Sequence, residues 1–181
     1  MPTDDFIIAK TRAWIEQAVI GLNLCPFAKA VYVKEQIRYV VSPAHDTAQL
    51  RADLARELHA LHASDPAQID TTLLIHPGVL ADFLDYNDFL DEADELVDAL
   101  DLRGDIQIAS FHPAYRFAGS GDDDIENFTN RSPYPILHLL REASIDRAVA
   151  AFPEADTIYE KNMETLRRLG REGWEKLKIA P

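Results

Sequence analysis

Thr71-Thr72-Leu73-Leu74-Ile75-His76-Pro77 is an apolar, β-branched run closed by a proline. Its polarity does not alternate, which predicts a strand buried on both faces. The proline pushes His76 out of the α region into extended backbone. Two other strand-like segments also end at a proline: Ile37-Arg38-Tyr39-Val40-Val41-Ser42-Pro43 and Ile106-Gln107-Ile108-Ala109-Ser110-Phe111-His112-Pro113. Their prolines stand 34 and 36 residues apart, room for a strand, a crossover helix and two loops. Parallel strands would bring Ser42, His76 and His112 out at one carboxyl edge, where ligands bind in open α/β sheets.

The two gaps carry helical patterns. In the first, Asp46 caps a helix that buries Leu50, Leu54, Leu58 and Leu61. In the second, Phe89, Ala93, Leu96, Val97 and Leu100 form the inward stripe of an acidic helix. The order predicts an α/β domain, 1–181, with a small, mostly parallel sheet and a β-α-β-α-β core. An N-terminal helix (about 4–21) precedes it, and a C-terminal helical tail (135–178) follows a long loop over the sheet edge (112–134). Strand one, near 33–41, carries Lys34, Glu35 and Arg38, which places it towards a sheet edge. Strand order is not readable; an antiparallel strand joined from elsewhere is compatible with the pattern. In the tail, Pro135 suits a first helical position, and Ile136, Leu139, Leu140 and Ala143 make an apolar stripe.

Composition excludes some partners. The 31 acidic and 18 basic side chains leave a net charge of −13, which opposes nucleic-acid binding. Nine carboxylates fall between Asp82 and Asp101 with no base among them, either a solvated helix face or an acidic docking surface. Basic residues of the last helix (Arg167, Arg168, Arg171, Lys176, Lys178) oppose that stretch in sign, and the two could meet within a subunit or across a homodimer. No apolar run approaches the ~18 residues of a membrane span. The acidic N-terminus lacks a signal-peptide pattern, so the expected location is cytoplasmic. Cys25 is the only cysteine, which rules out an internal disulfide. It ends a helix, where the dipole disfavours thiolate, so a packed structural thiol is expected unless His112 comes within reach.

Two constellations could carry chemistry. His76 and His112 are held on stiff backbone at equivalent strand ends, as an acid–base pair would be. Asn130-Arg131-Ser132 precedes the expected tail helix, where free amides and a guanidinium suit an anion. On that helix His138 and Glu142, at i and i+4, would share a face. Gly119-Ser120-Gly121 lacks the Gly-Lys-Ser/Thr ending of a phosphate loop and runs into acid, so nucleotide binding is not expected there.

Three segments resemble a family known as a domain of unknown function, number fourteen-fifteen, from bacteria. They are Leu22-Asn23-Leu24-Cys25-Pro26-Phe27-Ala28, Ala109 to Phe117 (which includes Arg116), and Asn130 to Glu142. The resemblance implies a stand-alone soluble protein and supplies neither a reaction nor assigned catalytic residues.

The leading expectation is an enzyme or binding protein for a small anionic molecule at the carboxyl edge. His112 would act as acid–base group, assisted by His76, with His138 and Glu142 closing the site. Asn130, Arg131, Ser132 and Arg116 would hold the anion. A metal-dependent hydrolase or metal-binding protein using His76, His112 and His138 is the first alternative, although no metal-ligand spacing is present. A non-catalytic adaptor docking through the acidic helix is the second.

Overall fold

The computed structural model describes residues 2–180. Helix α1 (Asp4–Trp14) is capped by the Thr3 hydroxyl and continues as a π-helical turn over Ile15–Ile20. After Asn23, in left-handed backbone (φ 53°), comes a short helix α2 (Ala28–Val33). Strand β1 (Ile37–Val41) therefore begins after residues 33–36 rather than including them. Helix α3 (Thr47–Ala63), strand β2 (Thr71–Ile75), helix α4 (Phe83–Ala99) and strand β3 (Ile106–Phe111) follow as the sequence predicts. Asp46 caps α3 and Asp82 caps α4, each accepting from first-turn amides. A 3-10 turn (Ile125–Asn130) sits within the long loop. Strand β4 (Ile136–Arg141), helix α5 (Glu142–Ala151) and helix α6 (Ile158–Lys176), kinked at Gly170, complete the chain. Among the described residues, no helix is long and apolar enough to cross a membrane.

Strand β4 corrects the expected topology. The sheet runs β1-β2-β4-β3, with β1 and β2 parallel and β4 antiparallel to both its neighbours. It is a mostly antiparallel sheet with one parallel pair, not a mostly parallel one. Because β4 is antiparallel to β2 and to β3, those two still point the same way, so the three strand ends do share one edge. The segment predicted as the start of a tail helix is strand because Ile136-Leu137-His138-Leu139-Leu140 is apolar on both sides. In a central strand both faces are covered, and a continuous apolar run satisfies helical and extended spacing alike.

Each face of the sheet has its own core. Helices α3 and α4 lay Leu50, Leu54, Leu58, Phe89 and Leu96 against Leu74, Leu137 and Leu139. On the other face Ile7, Trp14, Ile15, Leu166 and Trp174 pack with Leu73, Ile75 and Ile136. Acidic α4 and basic-tailed α6 thus lie on opposite faces and do not meet within the chain. Arg167 pairs instead with Glu126, and Arg171 with Asp123.

Candidate functional site

His76 and His112 do come together at the carboxyl edge, both against the Tyr86 ring. The centroid distances are 5.8 Å for His76 and 5.0 Å for His112. Both are sealed, 0% and 1% exposed. Each imidazole donates to a carbonyl of the β2–α4 turn: His76 Nδ1 to Val79 O at 3.1 Å, His112 Nε2 to Leu80 O at 3.0 Å. Those bonds explain the turn, because Leu80 holds left-handed backbone (φ 60°) that a leucine rarely adopts. His112 Nδ1 accepts from the Ala114 amide at 3.0 Å, so both its nitrogens are engaged. Burial pushes the His76 pKa down to about 4 and lowers that of His112, which keeps both rings neutral. In this arrangement the pair pins a turn.

The anion-clamp residues are likewise occupied. Arg131 donates to Tyr115 O (3.2 Å) and Asp122 O (2.7 Å), and stacks on Phe128 at 4.3 Å. Arg116 pairs with Asp122. Asn130 Nδ2 donates to Ser110 O, and the Ser132 hydroxyl to Tyr134 O. Together they stitch the 112–134 loop to the ends of β3 and β4. Arg131→Met should loosen that loop, cost about 1–2 kcal/mol, and open residues 114–124 to limited proteolysis. An unchanged digestion pattern and unchanged stability would contradict this role.

His138 and Glu142 do not share a helix face. His138 lies within β4, on the opposite side of the sheet from His76 and His112, and Glu142 opens α5. The His138 Nε2 donates to the Thr71 hydroxyl at 2.7 Å, which passes its own proton to Leu139 O at 2.6 Å. That chain leaves Nδ1 as an acceptor without a partner among the described residues. The ring is deep enough that burial lowers its pKa to about 4, although part of the residue remains reachable. Among the described residues no three His, Cys, Asp or Glu side chains converge as metal ligands. The Cys25 thiol is pushed up by burial, against the pull of the Phe27 and Ala28 amides. The carboxylates of α4 point to solvent; Asp98 is bridged by Arg103.

Open space lies elsewhere, along α6. One cleft of about 650 Å³ lies between the 117–126 loop and α6. Asp124, Glu126, Glu160 and Glu164 line it against the single guanidinium of Arg167, a lining that repels anions. The second, of about 450 Å³, is formed by the exit of the π-helical turn and the other side of α6. Leu22, Pro26, Phe152 and Ile158 give it an apolar wall, and Lys161 and Arg168 bring cations. A Cβ at Gly21, in the same wall, would lie 2.4 Å from Gln17 O, so only glycine lets the π turn close there.

Asn162 is the decisive residue of this second cleft. It is 6% exposed, and its Nδ2 donates to Leu24 O at 2.9 Å. Its Oδ1 accepts no hydrogen bond from the described residues but is not sealed from solvent, and the residue lines the cleft. Sequence reasoning passed over it as part of the last helix, yet one signal was there. Asn162 sits midway between Ile158 and Leu166 in an otherwise apolar stripe, where an amide needs partners.

A family model described as Protein of unknown function (DUF1415) matches residues 6–176. The chain belongs to that family. No curated protein and no solved structure matches it. The family match takes in both walls of the second cleft, the turn at Leu22–Pro26 and α6 through Arg168.

Proposed function

We propose that this domain binds a small organic molecule in the cleft between the Gly21–Pro26 turn and α6. The observation that carries the reading is Asn162, a residue 6% exposed in the cleft wall whose amide oxygen is unpaired within the chain yet still reachable by solvent. An accessible amide oxygen without a protein partner is free to accept from a bound molecule in place of water. The cleft volume, about 450 Å³, falls in the range of small-molecule sites, and the wall mixes apolar surface with a few polar groups. Its lining holds no imidazole and no thiol, which favours recognition over acid–base chemistry there.

A panel of neutral, cationic and anionic organic fragments, titrated into isotope-labelled protein, tests this by chemical-shift mapping. The shifts should cluster at Asn23, Asn162, Thr165 and Arg168, and Thr165→Trp, which plugs the cleft from a half-exposed wall position, should abolish them. A panel that moves none of those residues overturns the reading.

A second reading gives acid–base work to His138, and rests on its fixed tautomer and free Nδ1. It requires that some fragment of the panel shift the His138 ring resonances. His138→Gln keeps a donor for Thr71 and should remove that response without unfolding the chain.

A further inference from the structure

We infer that the cleft's ligand is a carboxylate with an N–H donor beside it and an apolar side chain. This is the chemistry of an apolar amino acid, free or N-acylated. The inference rests on the binding reading above and adds the functional groups the ligand must bring.

The donor requirement is the firmest. Asn162 Nδ2 is spent on Leu24 O, so only the carbonyl oxygen faces a ligand, and a carbonyl oxygen can only accept. A ligand without an N–H or O–H would leave it desolvated and unpaired. The carboxylate follows from the unpaired cation. Arg168 makes no ion pair among the described residues, and Lys161 is tied only to Glu154, at 2.6 Å. Glu154 neutralises Lys161, which leaves Arg168 as the unpaired cation of this wall, with the Glu164 carboxylate one turn before it on α6. A guanidinium can grip a carboxylate with two parallel bonds. A doubly charged phosphate would meet Glu164 as well, so one negative charge fits the wall better than two. Glu164 also offers a place for an ammonium. Leu22, Phe152 and Ile158 then take the apolar side chain.

Calorimetric titration of the full chain with four probes tests this. L-phenylalanine and N-acetyl-L-phenylalanine carry all three features. 3-Phenylpropionate lacks the N–H, and 2-phenylethylamine lacks the carboxylate. At least one of the first two should bind about tenfold tighter than either of the others, the scale of one hydrogen bond to a buried group. Arg168→Gln, at an exposed and unpaired position, should weaken that binding about fivefold or more while leaving the thermal midpoint unchanged. Glu164→Gln separates the two sources: it should weaken the free amino acid and spare the N-acetyl form. Equal affinity for 3-phenylpropionate or 2-phenylethylamine overturns the ligand class and leaves the cleft standing. Silence from all four probes, with fragment shifts still mapped to the cleft, also overturns the class alone. Silence together with an unresponsive cleft overturns both readings.

Discussion

Tyr86→Phe is expected to destabilise the domain by about 2–4 kcal/mol, although it removes one oxygen atom. The Tyr86 hydroxyl accepts from the Phe111 amide at 3.1 Å and donates to Ile136 O at 2.7 Å. Phe111 and Ile136 are register partners at the last rung between β3 and β4. A side chain from α4 is therefore wedged into the ladder, relaying the bond that the two backbones would otherwise make directly. The residue is fully buried, and burial pushes its pKa up, so the hydroxyl stays protonated and keeps its donor. Phenylalanine preserves the stack with His76 and His112 but strands an amide and a carbonyl away from water. Each such orphan costs about 1–3 kcal/mol. Urea unfolding of the two proteins measures the difference; a loss below about 1 kcal/mol would mean that the strands close the rung by themselves.

Acid should destabilise the fold well before its carboxylates protonate. His76 is held neutral, with its pKa lowered from 6.5 to about 4, and His138 is lowered to a similar value. For a base whose folded pKa is depressed, the unfolded chain binds the proton first. The stabilisation is complete above the unfolded value near 6.5 and drains away as the pH falls towards 4. Each imidazole can remove up to about 1.4 kcal/mol per pH unit in that window. His76 alone accounts for about 3 kcal/mol, and His138, which keeps some solvent contact, for less. Asp98 is pulled down by Arg103, and Glu126 by its own backbone amide and then Arg167, so both lose their contribution only at lower pH and do not blur the window. Unfolding midpoints at pH 7.5 and 4.5 check the effect. His76→Asn keeps a donor for Val79 O and should flatten the dependence; equal midpoints in the native protein would contradict the account.

Much of the fold is legible because the strand ends are marked twice, by apolar runs and by the prolines behind Ser42, His76 and His112. Those marks place three strand ends at one edge, as found. Strand β4 escapes because its four apolar residues (Ile136, Leu137, Leu139, Leu140) fit helical and extended spacing alike, and Pro135 is as acceptable before a central strand as at a helix start. His138 and Glu142 then fall apart, since their pairing depends on a helix that does not form. The two strand-end imidazoles were correctly brought together, yet proximity says nothing about access. The sequence cannot show that Val79 and Leu80 turn their carbonyls inward to take both protons. The α6 cleft is hidden for another reason. Its key bond joins Asn162 to Leu24, 138 residues apart, and no local pattern pairs a turn at residues 21–26 with the second half of the chain.

The most direct measurement is a crystal structure of the chain grown with N-acetyl-L-phenylalanine. The account predicts the molecule between the Leu22–Pro26 turn and α6, its N–H within hydrogen-bond distance of Asn162 Oδ1 and its carboxylate on Arg168. Density over the 112–134 loop, against His112 and Arg131, with the α6 cleft holding only water, would contradict it.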